Sequence, residues 1–138
     1  MTEKAASGLL VGLFVYIVGQ INFVTVSLLI FMCIDFLTGV LGARSTGEKI
    51  TKEKLTLGAI KKTGILILWF VSVIIQLVVM SEGSKIGITL TTPYINLVMT
   101  FYLLGSETIC ISKNLSEMGV KSPRWLHVLA SNMKKEKL

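Results

Sequence analysis

The sequence predicts an all-α protein: a polytopic membrane helical bundle of four transmembrane helices with amphipathic cytoplasmic segments, three spans being the alternative. Three observations carry that prediction. Apolar residues make up 52% of only 138, and mean hydropathy is +0.73. A domain this small has too little interior to bury so much apolar surface. Those residues are gathered into runs close to the ~20 residues with which a helix crosses a bilayer. Basic segments alternate with neutral turns between the runs, the pattern left by the cytoplasmic bias of Lys and Arg. The chain is expected to form a single membrane domain over residues 1–138.

The first span is expected over residues 5–22. Its core, AASGLLVGLFVYIVG, is uncharged, and Gln20 and Asn22 extend it to the far interface. Gly8 and Gly12 form a small-xxx-small step, which lets helices approach closely in lipid. The polar start, MTEK, has little positive charge and no A-x-A pattern follows the apolar run, so a cleaved signal peptide is not expected. The gap to the second run carries no charge. A tight hairpin at 20–23 is the preferred reading, the other being a first run that lies in the interface. The second span, 24–42, carries Asp35 and leaves the apolar run through Gly39 and Gly42.

The loop 43–63 is basic. Arg44, Lys49, Lys52, Lys54, Lys61 and Lys62 oppose Glu48 and Glu53, six cations against two carboxylates, or +4. Ser45 with Glu48 fits a capping box. Thr51–Lys62 is expected to form an amphipathic surface helix running into the third span, 64–80, where Gln76 is the strongly polar residue. Residues 81–87 make a neutral turn. The fourth span, 88–111, is more polar, and Pro93 and Asn96 predict a late or irregular start. In the tail, 112–138, six cations (Lys113, Lys121, Arg124, Lys134, Lys135 and Lys137) oppose Glu117 and Glu136, again +4. Ser122 and Pro123 read as N-cap and first helical residue. Trp125, Val128, Leu129 and Met133 then form one apolar face, an interfacial helix anchored by Trp125 with Arg124 beside it.

The positive-inside rule places the N-terminus, the basic loop and the C-terminus in the cytoplasm. The overall charge of +6 then reads as attraction to the anionic inner leaflet, and nucleic acid is not an expected partner. Enzyme chemistry has no support. The lone histidine, His127, sits in the tail, and no Ser/His/Asp set, metal cluster or phosphate loop is present, so no cofactor is expected. Cys33 and Cys110 read as small buried hydrophobes.

Asp35 and Glu107 are the acidic residues inside the apolar runs. A carboxylate at mid-membrane costs ~2.5–3.5 kcal/mol on insertion scales, so it faces protein or water or takes a partner. Each falls within about two turns of the cytoplasmic end of its expected span, which puts the two at similar depth. Lys61 and Lys62 enter from the same side as candidate partners. The pair either fixes helix rotation, lines a polar route in an oligomer, or serves proton-coupled transport. Gly8, Gly12, Gly39 and Gly42 are the candidate helix-contact residues.

Three blocks of residues carry a resemblance. One is Asp35-Phe-Leu-Thr-Gly-Val-Leu at the end of a span. Another is the basic run from Lys49 to Lys62, ending in G-A-I-K-K-T-G-I-L. The third is SETICISKNLSEMGVKSPRWL, through Glu107 to Leu126. In these the chain resembles the toxin-secretion/phage-lysis holin family, the small holins of mainly Gram-positive bacteria and their phages, over roughly residues 26–130. Thr108 to Ser112 replace the family's usual serine-bearing stretch, and Lys121-Ser122 stands where a proline often precedes Pro123. The matching positions are Asp35, Gly39, Lys62, Glu107, Asn114, Gly119, Pro123 and Leu126, and the family brings no catalytic residues.

The resemblance implies a non-enzymatic, multi-pass protein of the bacterial cytoplasmic membrane. It would self-associate and form lesions that release a cell-wall hydrolase or a toxin, without necessarily touching that cargo. Two other functions fit the bare sequence: a small four-helix proton-coupled exporter, and a membrane scaffold or immunity protein. The exporter predicts an essential carboxylate near the midplane, and the scaffold predicts no loss of membrane integrity on expression.

Overall fold

The computed structural model describes residues 3–89, 91–92, 94–121 and 123–135, and all of their regular structure is helical. Lipid admits only helices and closed barrels as spanning structures, because every backbone N–H and C=O must find its partner within the protein. The elements in order are α1 (Glu3–Gly19), α2 (Phe23–Ser45), α3 (Lys52–Glu82), a 3-10 turn at Gly83–Ile86, α4 (Tyr94–Glu117) and α5 (Arg124–Lys135). Three of these, α2, α3 and α4, are long and apolar enough to cross a membrane. With 17 residues α1 is shorter; at ~1.5 Å per residue it reaches about 26 Å, against ~30 Å of hydrocarbon.

The helix ends follow from a few side chains. Asn22 caps α2, its Oδ1 accepting from Val24 N and Thr25 N, each at 3.1 Å. The Thr25 hydroxyl reaches back to the Gln20 carbonyl at 3.2 Å. The expected turn at 20–23 is therefore present and pinned. The helices it joins do not pack as a hairpin, however: α1 makes no extended contact with another element and buries none of its residues.

At the other end of α2 the expected capping box does not form. Ser45 is the last helical residue, and its hydroxyl donates to the Gly42 carbonyl at 2.8 Å. Gly47, at φ 73°, and Glu48 instead close a Schellman turn through Gly47 N to Arg44 O at 3.3 Å and Glu48 N to Ala43 O at 3.0 Å. The cap of α3 is Thr51, whose hydroxyl oxygen accepts from Lys54 N at 3.3 Å. The basic segment from Lys52 onward is the first part of one continuous 31-residue helix.

α4 begins at Tyr94, six residues later than the expected span and in keeping with a late start, and runs on to Glu117. A second Schellman turn ends it at Gly119, φ 83°. α5 starts at Arg124, so Pro123 precedes the helix; Trp125, Val128 and Leu129 are exposed along one side of it. Pro93, Ser122 and the side chains of His127 and Met133 lie outside the described residues.

α4 is the centre of the molecule. It packs along α2 over most of its length and against α3 on its other side. Leu28, Met32 and Leu103 form the apolar core of this three-helix unit, with Ile65, Trp69, Met99 and Leu104 against them. The outer surface carries side chains such as Leu10, Phe14, Ile67 and Phe101, all more than half exposed. Cys33 and Cys110 are also exposed, not buried as expected; on a lipid-facing helix a small apolar side chain needs no core to sit in. Polar residues are instead the ones drawn inward.

Candidate functional site

Three helices each bring one charged side chain to a common point. Asp35 on α2, Lys62 on α3 and Glu107 on α4 each lie ten residues from one end of their helix: Asp35 to Ser45, Lys52 to Lys62, Glu107 to Glu117. At ~1.5 Å per residue that is about 15 Å of helix, nearly three turns. The carboxylates thus sit deeper than the expected two turns, because α2 and α4 both continue past the apolar runs that marked their spans. α2 runs three residues past its expected span and α4 six, which leaves each carboxylate ten residues from its helix end.

Lys62 Nζ donates to Asp35 Oδ2 at 2.5 Å and to Glu107 Oε2, making one ammonium the shared partner of two carboxyls. Glu107 is 1% exposed, whereas the side chains of Asp35 and Lys62 keep 15% and 18%. Lys61 is exposed and takes no part. Successive residues of a helix point about 100° apart, so Lys61 presents a different face from the inward one that Lys62 shares with Ile65 and Trp69.

Asn114 completes the cluster from α4. Its Nδ2 donates to Asp35 Oδ1 at 3.0 Å, to the Asp35 carbonyl at 3.2 Å and to Thr38 Oγ1 at 3.2 Å. Both oxygens of Asp35 are thereby occupied, one by Lys62 and the other by Asn114. The close approach this needs is supplied by glycines. A Cβ on Gly39 would stand 3.4 Å from Asn114 Nδ2, and one on Gly42 3.3 Å from the Asn114 carbonyl oxygen. These two helix-contact candidates are therefore engaged within the chain. Gly8 and Gly12 have nothing within 4 Å. Arg124 and Trp125 are exposed at the start of α5.

A second polar layer joins α3 to α4 nearer their other ends. Gln76 is fully buried, and its Oε1 accepts from Ile95 N at 2.9 Å and Asn96 N at 3.4 Å. A side chain of α3 thus caps the start of α4, satisfying donors that a helix cannot satisfy itself. Ser72 donates to Asn96 Oδ1 at 2.9 Å, and Thr100 to the Asn96 carbonyl at 2.7 Å. The Leu28–Met32–Leu103 core separates this layer from the charged one.

Asn114 and Thr38 carry no charge to mark them. The signal was spacing: Asn114 follows Glu107 by seven residues, two turns along the same face. The Ser72–Asn96 bond joins different helices, and helical period alone does not pair them. Among the described residues no group of His, Cys, Asp and Glu is placed to hold a metal ion. The arrangement is an ionic clasp that ties three helices together through one lysine. Comparison with protein families finds a match over residues 12–135 to the one described as the bacteriophage holin family. No curated protein and no solved structure matches.

Proposed function

The chain belongs to the bacteriophage holin family, non-enzymatic pore-forming membrane proteins, and from that premise we propose that it accumulates in the bacterial cytoplasmic membrane, associates with copies of itself, and forms lesions that release a cell-wall hydrolase or a toxin. The observation that carries this reading is the clasp of Asp35, Lys62 and Glu107 inside the single chain. A subunit whose charges within the apolar runs are paired inside the chain is harmless to the bilayer, as accumulation without damage demands. The same groups line water once neighbouring subunits pull α2 or α3 away from α4. Gln76 and Asn96, buried between α3 and α4, become available in the same movement.

In this topology both termini and the basic loop face the cytoplasm. The exposed cations of the loop, with Lys121 and Arg124, lie along anionic lipid, and Trp125 sits at the interface. The cargo needs no direct contact with the lesion's subunits. The proton-coupled exporter is less well supported, since both carboxyls are already bound to one lysine well to the cytoplasmic side of the second polar layer. Nothing in the geometry favours the scaffold.

The test is inducible expression of the chain alone in a bacterium that carries a folded reporter enzyme in its cytoplasm. The expected outcome is a delay, then abrupt loss of respiration with release of the enzyme. Release of small dyes alone would sink the lesion reading in favour of a narrow channel. Continued respiration would leave the scaffold.

A further inference from the structure

The two joints that α4 makes with its neighbours differ in kind. On α3 the inward residues are Lys62, Ile65, Trp69, Ser72 and Gln76, spaced by three or four along one side of the helix. Three of these five reach α4 through polar bonds: Lys62 to Glu107, Ser72 to Asn96 Oδ1 at 2.9 Å, and Gln76 Oε1 accepting from Ile95 N at 2.9 Å. On α2 the inward residues are Leu28, Met32, Asp35, Gly39 and Gly42. This joint is made by the contact of Leu28 and Met32 with Leu103, and by the glycines, which let Asn114 come close enough to hold Asp35 and Thr38.

The inward face of α3 also carries donors that the closed molecule does not use. Gln76 is fully buried, and while its Oε1 caps α4 its Nε2 has no acceptor among the described residues. Trp69 Nε1, two turns back along the same face, is buried in the same condition. Among the described residues α2 and α4 hold no such atom. A buried donor without an acceptor is costly, and water satisfies both. The joints respond to water in opposite ways. Water competes for the polar bonds of α3, whereas the apolar contact of α2 with α4 tightens against it, because the hydrophobic drive that lipid lacks exists in water. Parting α3 from the others also leaves Lys62 on one side and both carboxyls on the other, with Asn114 still tying Asp35 to α4. Charges separated in that way need hydration, so a parted α3 is a hydrated one.

We propose that the lesion opens along the seam between α3 and α4: α2 and α4 stay together as one body, α3 departs, and Lys62, Trp69, Ser72 and Gln76 face the water from one side with Asn96 and Glu107 facing it from the other. This rests on the reading of the protein as a lesion former and names the surface that the lesion exposes. Departure of α2 instead would bare Leu28, Met32 and Leu103 to water and pull Asp35 from Asn114, while leaving the unused donors of Trp69 and Gln76 where they are.

Two disulfide locks test this. Ser72→Cys with Asn96→Cys ties α3 to α4, and Thr38→Cys with Asn114→Cys ties α2 to α4; in both pairs the side chains replaced are hydrogen-bonded to one another. The full-length chain, with Cys33→Ser and Cys110→Ser, is reconstituted into phospholipid vesicles that hold the reporter enzyme and is oxidised with copper phenanthroline. Closure of each bond is read as protection of both thiols from alkylation. The bond between 72 and 96 should cut enzyme release several-fold, and reduction should restore it. The bond between 38 and 114 should leave release as it is in the reduced protein. A block by the second bond, or none by the first, overturns the proposal. Val73→Cys supplies a reading without a lock, and it decides where either pair fails to assemble. Val73 is fully buried on α3, next to Ser72, and a membrane-impermeant thiol reagent should reach the cysteine only once release begins. Release with that thiol still unreactive refutes the seam alone; a reactive thiol without release refutes the lesion reading alone.

Discussion

Lys62 is the residue on which the interior depends. It is the shared partner of two carboxyls from two different helices, and nothing else in the cluster carries a positive charge. Lys62→Met should therefore lower the stability of the detergent-solubilised protein by about 3–5 kcal/mol, the usual result of leaving a buried charge without its partner. Adding Asp35→Asn and Glu107→Gln to it should restore most of that loss, because no charge then remains to satisfy. A triple variant no more stable than the single one would show that the three groups do not act as a unit. Outside the membrane, Glu48 is paired with Lys54 at 2.6 Å. The hydrogen bond to Lys54, then its charge, holds the Glu48 carboxyl below the ordinary value. Whatever this pair adds is present above the ordinary carboxylate pKa and is lost as pH falls through the lowered one. An NMR titration of Glu48 should show the depression, and Lys54→Ala should remove it.

Single residues also mark how far the sequence could be read. Asp35 and Glu107 were legible because a carboxylate in an apolar run stands out against its neighbours. Asn114 was marked only as a position matching the family pattern, because an uncharged amide looks the same whether it meets lipid headgroups or a buried aspartate. The lysine at 62 and not 61 is used because only one of two adjacent residues can face inward on a helix, and the sequence does not say where the neighbouring helix lies.

Among the elements, α4 is the one that depends on others. Its start is capped by Gln76 from α3, and its face carries Asn96, Thr100, Glu107 and Asn114 toward the two helices beside it. Gln76→Ala should cost about 1 kcal/mol, the usual worth of a lost helix cap. Amide exchange should quicken at Ile95 and Asn96 while that of α2 is unchanged; uniform quickening would mean the cap is not local. The existence of α2, α3 and α4 was plain from their hydropathy. Their ends were less so, since helices continue past the membrane until glycine stops them, as at Gly47 and Gly119. Ser45 and Glu48 have the spacing of a cap, but the Schellman turn through Gly47 took that stretch for the end of α2 instead.

The whole molecule is a three-helix unit of α2, α3 and α4, with α1 held apart and α5 following α4. Read from composition, four apolar runs meant four packed helices; the structure packs three, because pairing in lipid requires fitted surfaces and α1 has found none within its own chain. With the native cysteines replaced by serine, Lys4→Cys and Lys121→Cys should both react with a membrane-impermeant thiol reagent only when the cytoplasmic face is exposed, as in inverted vesicles. Labelling of Lys4→Cys from the outside would mean that α1 does not cross. Labelling of Lys121→Cys from the outside would invert the topology.

Among the described residues, seven buried polar or charged ones stand against four buried apolar ones, and this has a further consequence. A soluble protein is glued by surfaces that water cannot wet. Here much of the glue is hydrogen bonds and one shared ion pair, and water makes those bonds as well as the protein does. The bilayer protects the fold by keeping the competitor out. Each water molecule that enters between α3 and α4 or beside Lys62 replaces a bond, loosens the helices and widens the way for the next. The fold therefore yields by wetting, and wetting of this kind feeds itself: intact for as long as the interior is dry, and lost quickly once it is not.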